Sequence, residues 1–409
     1  MTRILSVTRT LFSHRDFVVL ILCCLLTGMA YSFVMPFNSL FGTKEVGMGP
    51  WMFGCFMTVT SLAGIAISTP LSRWSDTRYS RKHMLVCAGI CGTLGYLGYA
   101  FVRQVWELFL IGSILFGIAS IAFSQIFAQA RDLLDRSEID AKEIPLYMNV
   151  FRLFFALAWT VGPALASLVM ARYSFRGTYL TAAGLFLAFT VLAALYIPAI
   201  PPAPSGKAQA AQLPLRKAFL LPGLSAAFAG LVCFFTCSTM GMMNLPLLIV
   251  DTLGGSERQV GIAYSLAPVF ELPFMFYIGV WATRAKPIRL ILFSLLLAIF
   301  YYGCLALVQA PWQIYPLQIL SAAIVAVTSG IAITFFQDLL PGQAGTATNL
   351  YSNAMRLGAI GGYLGFGSLS SAFGNRAVFA VAAGLSCLAA YLMYMAGAAR
   401  HPEVTTELP

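Results

Sequence analysis

Apolar runs of about twenty residues recur twelve times along this 409-residue chain, and they constrain its fold more than any other feature. Each run is long enough to cross a bilayer core of roughly 30 Å as a helix. Hydrophobic residues make up 59% of the sequence and charged residues only 10%, a balance outside the range of soluble domains. We therefore predict an all-α membrane protein with twelve transmembrane helices, at residues 17–41, 51–71, 83–102, 105–130, 145–171, 178–198, 219–250, 260–282, 288–309, 313–337, 346–369 and 377–397.

One pattern, Leu-Tyr-x-Asn-x-x-Arg-Leu, occurs at 146–153 and again at 350–357, 204 positions later. A repeat at about half the chain length indicates two related halves. Two parallel repeats of six helices resemble the major facilitator architecture. We predict two pseudo-symmetric six-helix bundles joined by a flexible cytoplasmic linker, at residues 1–198, 199–218 and 219–409.

The distribution of basic residues predicts the orientation of the chain. With both termini in the cytoplasm, 17 of the 25 Lys and Arg residues fall on the cytoplasmic side, six fall on the opposite side and two lie within predicted helices. This is the positive-inside bias of multi-pass membrane proteins. The net charge of +10 therefore indicates topology, and we expect no nucleic-acid partner.

The sequence carries no signal for a cofactor, a metal or an enzymatic centre. All nine cysteines fall in apolar runs, where small hydrophobic filler is their expected role, and the three histidines form no ligand cluster. No phosphate-binding Gly-x-x-x-x-Gly-Lys-[Ser/Thr] motif is present, so we expect an ion gradient, and not ATP, as the energy source.

Glu271 lies in the middle of the eighth predicted helix, deeper than any other acid. Desolvation disfavours its charged form, whereas a nearby arginine would favour it. A balance that changes as a cavity opens suits a proton-coupling site. The alternative is a permanent structural ion pair with Arg356 or Arg152.

Polar residues on the fifth and eleventh helices are candidates for substrate binding. Asn149, Arg152 and Trp159 share a helix face, because they are separated by three and seven residues. The eleventh helix repeats the arrangement. Amides and guanidinium groups supply hydrogen bonds, and aromatic rings stack on sugar faces. An interhelical hydrogen bond is the competing role for any single amide. The remaining candidates are Asn353, Arg356, Tyr363, Asn38, Gln125, Asn244 and Gln318.

The segment 72–82, with Asp76 followed by basic residues, resembles the signature between the second and third helices of major facilitators, although it lacks the usual glycines. On that resemblance Asp76 would contact Arg131 and the start of helix 11 as a latch on the cytoplasmic side. A second latch would pair Asp338 with Arg284. The alternative is that the basic cluster only sets topology.

Several further stretches resemble the sugar efflux transporter family of bacterial major facilitators. They include Pro-Phe-Asn-Ser-Leu-Phe at 36–41, Gln-Ile-Phe-Ala-x-Ala-Arg-Asp at 125–132 and Phe-Gln-Asp-Leu-Leu-Pro-Gly-Gln-Ala-Gly at 336–345. The resemblance implies proton-driven export of sugars or glycosides across a bacterial inner membrane by a multi-pass protein, which we expect to act as a monomer. A broad-range drug/proton antiporter, a sugar uptake symporter and a sugar-sensing receptor remain alternatives.

Overall fold

The structure is a computed structural model that describes residues 15–77, 79–137, 144–199, 223–282, 285–340 and 343–399. Within these residues all regular structure is helical. The first half contains α1 (Arg15–Glu45), α2 (Pro50–Thr77), α3 (Arg81–Phe101), α4 (Val105–Asp135), α5 (144–173) and α6 (175–196). The second half contains α7 (Leu224–Thr252), α8 (Glu257–Ala282), α9 (Pro287–Leu307), α10 (Pro311–Leu339), α11 (Ala344–Phe373) and α12 (Asn375–Ala398).

The predicted all-α membrane fold is confirmed. Nine helices in the described part are long and apolar enough to cross a membrane. One of them, Val150–Tyr196, contains most of α5 and all of α6, which meet at Ser174 with a φ of 57°. The remaining two, α8 and α11, are 26 and 30 residues long. These helices correspond to the twelve predicted runs.

The chain divides into two compact units. The first contains α1, most of α2 and α3–α6, together with Val260–Ser265 from the start of α8. Its core holds a cluster of aromatic rings, in which Phe41 of α1 lies 4.7 Å from Tyr179 of α6 and 5.7 Å from Tyr99 of α3 between centroids. Small residues let α1 and α5 approach closely, and the Ser32 hydroxyl donates to the Ala158 carbonyl at 3.1 Å.

The second unit contains α7, the rest of α8 and α9–α12, together with Gly49–Cys55 from the start of α2. Here α11 presents glycines to α7, so that a Cβ on Gly358 would lie 2.9 Å from the Val232 carbonyl oxygen. A hydrogen bond joins α7 to α12, in which the Cys237 thiol donates to the Ala382 carbonyl at 3.3 Å. Apart from residue 199, the predicted linker lies outside the described residues.

Each unit also includes a short segment from near the start of a helix that belongs to the other half of the sequence. In the second unit the Trp51 amide of α2 donates to the Ser371 hydroxyl of α11 at 2.9 Å. In the first unit the Ala164 amide of α5 donates to the Ser265 hydroxyl of α8 at 3.0 Å. Glycines permit both approaches, since Gly54 and Gly261 have backbone oxygens within 2.6 Å of where a Cβ would be.

Candidate functional site

Arg152 on α5 is exposed and lies above an aromatic ring instead of a carboxylate. Its guanidinium carbon is 5.9 Å from the centroid of Phe127 on α4. A cation over a ring face is attracted by the ring quadrupole, which holds the charge while leaving its N–H donors available. The arrangement therefore suits an arginine that must bind a ligand in an apolar segment.

Four phenylalanines from α4 and α5 build the aromatic surface beside Arg152. Phe123 lies 4.6 Å from Phe127 and 4.7 Å from Phe155, and Phe127 lies 5.2 Å from Phe151. Sequence reasoning missed this cluster. Its signal was the four-residue spacing of Phe123 and Phe127, which places both rings on one face of α4.

Trp159, two turns beyond Arg152 on α5, carries a buried indole N–H with no hydrogen-bond partner in the described part of the chain. Buried donors are normally paired, because an unpaired donor loses its water without compensation. A ligand hydroxyl would satisfy this donor. Asn149 lies on the same helix, but its side chain is outside what the structure describes.

The α11 candidates Asn353, Arg356 and Tyr363 follow the α5 pattern with different surroundings. Arg356 is exposed, and the other two are half-buried. At the α10 positions that match Phe123 and Phe127, 206 residues later, the sequence has Ser329 and Ile333. Arg356 therefore has no aromatic surface at the matching place, and the two arginines differ in how they are held.

Glu271 is half-buried on α8 between Pro268 and Pro273. Each proline removes one backbone N–H donor from the helix near the carboxylate. Among the described residues of its unit, Glu271 forms no ion pair with Arg356. The alternative of a permanent Glu271–Arg356 pair is therefore not what this structure contains.

Three of the four remaining amides are engaged with their own unit. Gln125 is buried and accepts from the Arg81 guanidinium at 3.4 Å. Asn244 is buried and donates to the Asn375 carbonyl at 2.7 Å, while Gln318 donates to Ile314 of its own helix at 3.5 Å. Half-buried Asn38 contacts only the Met35 sulfur, at 3.6 Å, among the hydrogen bonds described. The buried Asn244 Oδ1 has no described hydrogen-bond donor and could accept one from a ligand or water.

The latch residues are only partly described. The side chain of Asp76 and all of Arg284 lie outside the described residues, and Asp338 is exposed at the end of α10. Arg131 donates to both carboxylate oxygens of Asp135, one turn later on α4, at 3.1 Å. The Asp76–Arg131 contact and the second latch remain predictions.

An ion pair that sequence reasoning missed joins α3 to α4 at the same end. Arg81 Nε lies 2.6 Å from the Asp132 carboxylate, with the two side chains 18% and 32% exposed. The same guanidinium also bonds to Gln125. Both residues were visible in the sequence, in the basic cluster at the start of α3 and in the Ala-Arg-Asp near the end of α4. The sequence analysis chose Arg131, the neighbour of Asp132, for an ion pair at this end.

The comparisons with known proteins agree with this architecture. The model of the Major Facilitator Superfamily matches residues 20–363 and 227–408. A Deinococcus radiodurans protein whose name refers to sugar efflux is 36% identical over 389 residues, covering 94% of this chain and 98% of its own length. Sugar efflux transporter A of Escherichia coli K12 is 30% identical over 377 residues, covering 91% of this chain and 93% of its own. The chain belongs to the sugar efflux transporter family of the major facilitators.

A solved structure supports the fold of this transporter independently. The nucleoside transporter NupG superposes with a TM-score of 0.80 over 92% of this chain and 98% of its own, at 16% identity. Such a likeness speaks for the helix arrangement alone. The predicted family, the transporter class and the non-enzymatic character are confirmed, and the transporter is a multi-pass membrane protein.

Proposed function

We propose that this transporter exports sugars or glycosides across the bacterial inner membrane in exchange for protons, by alternating access. The family carries the substrate class, since its relatives are named for sugar efflux. The observation that carries the binding site is Arg152 over the Phe127 ring, with the unpartnered indole N–H of Trp159 two turns away. Donors beside aromatic faces match a sugar, which offers hydroxyl acceptors and apolar ring faces.

We assign proton coupling to Glu271. Protons entering from the outside would neutralise the carboxylate, which weakens its hold on polar groups in the binding cavity and favours release of sugar outward. After the binding site turns to the cytoplasm, Glu271 loses its proton and sugar binds again. A membrane potential of 100 mV contributes roughly 2.3 kcal/mol for each charge moved, which sustains a useful gradient.

The proposed orientation places both termini in the cytoplasm, because that choice puts 17 of 25 basic residues on the cytoplasmic side. The proposal needs no cofactor beyond the proton gradient, and it treats one chain as the working unit. Asp76 with Arg131, and Asp338 with Arg284, are proposed to hold the cytoplasmic ends together while the outer side is open.

The test is proton movement driven by solute in proteoliposomes, followed with a pH-sensitive dye. The panel contains lactose, glucose, alkyl glycosides and cationic drugs. We expect proton flux with glycosides and none with drugs. Glu271→Gln, which fixes the neutral form, should abolish that flux and weaken sugar binding.

Glu257→Gln is the matched control, since Glu257 begins the same helix and is also half-buried. Full coupled export by Glu271→Gln would overturn the coupling assignment. Flux with drugs alone would move the transporter to the multidrug class, movement of sugar and protons in the same direction would make it a symporter, and binding without flux would leave a sensor.

A further inference from the structure

A surface groove of about 430 Å³ lies in the first unit, along the side of α3 where α6 packs beside it. Seven residues line it: Lys82, His83, Val86, Cys87, Ile90, Cys91 and Ala194. Six of the seven come from α3, at the spacings of three and four residues that mark one helix face. The proposed binding and coupling residues take no part in it.

The groove faces away from the interior of its unit. The opposite face of α3, including Leu85, Ala88 and Gly92, is buried. On the groove side Ile90 is 48% exposed, and Leu94, one turn further along, is 50% exposed. An exposed apolar face on a membrane-spanning helix meets hydrocarbon, so a ligand would enter this groove from the bilayer.

Polarity along the groove changes once, from a cationic end to an apolar end. Lys82 and His83 stand in the first turn of α3, the positive end of the helix dipole, which also favours an anion. Val86, Cys87, Ile90 and Cys91 follow over the next two turns. The exposed Ala194 of α6 is small enough to leave the space open.

The basic side chains at the mouth of the groove differ in their hydrogen bonds and ion pairs. The neighbouring Arg81 is paired with Asp132. Lys82 forms no ion pair with any residue that the structure describes, and the His83 Nδ1 is 2.7 Å from the Ser80 hydroxyl. Lys82 therefore places an ammonium group, with no described ion-pair partner, at the polar end of an otherwise apolar groove.

We propose that this groove binds an anionic phospholipid, with its phosphate on Lys82 and the first turn of α3 and an acyl chain along Val86, Cys87 and Ile90. The chemistry of the groove matches such a lipid part by part. A zwitterionic lipid fills the apolar portion equally well, but Lys82 at the mouth repels its positively charged amine. Charge complementarity thus selects the anionic class.

Native mass spectrometry of the detergent-purified transporter tests the proposal, with phosphatidylglycerol and phosphatidylethanolamine titrated separately. We expect phosphatidylglycerol to remain bound at higher collision energy. Lys82→Gln should weaken its binding about fivefold, the ratio that one lysine near a membrane surface supplies, and should leave phosphatidylethanolamine unaffected. Lys286→Gln is the charge control, because Lys286 immediately precedes α9, the second-half counterpart of α3.

Filling the groove with a larger side chain gives a second test, which does not depend on charge. Ala194→Trp should reduce lipid retention, whereas Ala398→Trp, at the exposed position 204 residues later on α12, should not. Thermal unfolding of each variant confirms that it is folded. Phosphatidylglycerol binding by Lys82→Gln at the unmodified level would overturn the proposal, and so would equal retention by the two tryptophan variants.

Discussion

The two halves of the transporter carry acids at matching positions, but arginines at only one set of the partner positions. In the first half Asp132 binds Arg81 at one end of the bundle, and Glu45 binds Arg103 at the other at 2.9 Å. A step of 206 residues leads from these acids to Asp338 and Asp251, and from the arginines to Pro287 and Gln309. Both halves therefore carry a carboxylate at these positions, whereas arginine stands at the matching partner positions only in the first half.

The contact between each half's first and fifth helices shows a second difference. In the first half a glycine of α1, Gly28, receives Phe155 and Ala158 from α5. In the second half the glycine belongs to α11, where Gly358 receives Phe235 from α7. The close approach is common to both halves, but the glycine that permits it lies on the first helix in one half and on the fifth helix in the other.

The largest expected effect comes from adding one methyl group at these two contacts. At Gly358 a new Cβ would overlap the Phe235 Cβ and lie 2.9 Å from a backbone oxygen, and neither atom can move without the backbone. At Gly28 the nearest atoms are the Ala158 Cβ at 2.9 Å and a ring carbon of Phe155 at 3.0 Å, of which the ring can turn aside. We expect Gly358→Ala to destabilise by about 2 kcal/mol, after the gain in helix propensity, and Gly28→Ala by about 1 kcal/mol.

Thermal and denaturant unfolding in the same detergent measures both variants side by side. Equal losses of unfolding free energy at the two positions would contradict the expected contrast between the two contacts.

The next effect concerns the Arg81–Asp132 pair. Its side chains are partly buried and hydrogen-bonded, so we expect Arg81→Gln to cost about 1.5 kcal/mol of unfolding free energy. Asp132→Asn should cost a similar amount, and the double variant little more than either single one. Lys82→Gln, the adjacent change, is the control. Additive losses in the double-mutant cycle would show that the two residues act independently.

A smaller effect separates Arg152 from Arg356, the two exposed arginines of the repeated motif. Phe127→Leu removes the ring beneath Arg152, and a cation–π contact of about 1 kcal/mol corresponds to about fivefold weaker substrate binding. Ile333→Leu, at the matching position of α10, should leave binding unchanged. Both are measured as the sugar concentration that gives half-maximal export. A loss of equal size in Ile333→Leu would mean that the helix pair, and not the ring, positions the arginine.

The sequence was sufficient for the fold because its signals are local. Length and hydropathy determine a membrane span, and the repeated motif at 146–153 and 350–357 relates the halves whatever surrounds it. Partners between helices could not be read in the same way. Arg131 and Asp132 are adjacent in sequence but point about 100° apart on a helix, and only the rotation of α4 decides which meets Arg81.

The candidate site shows the same division. The spacing of Arg152 and Trp159 on one face followed from helical periodicity, whereas the ring beneath Arg152 comes from another helix and required packing information. The buried amides, such as Asn244 with its partner Asn375, illustrate the converse case. A polar residue in an apolar run indicates that its side chain has a hydrogen-bond partner, but the sequence does not identify that partner.

The smallest expected effect lies at the other end of the first half, in the Glu45–Arg103 pair. Its side chains are 35% and 32% exposed, so solvent screens the charges, and we expect Glu45→Gln to cost only about 0.5 kcal/mol. Arg103→Gln should cost more than that, because the guanidinium also donates to the Tyr99 carbonyl at 2.9 Å and lies over the Phe41 ring. Raising the salt concentration should diminish the cost of the Glu45 change and leave most of the Arg103 cost intact. If unfolding measurements instead gave equal costs for the two changes, the arginine would serve this end of the bundle only through its charge. The absence of arginine at Gln309 would then be a loss of little consequence to the second half.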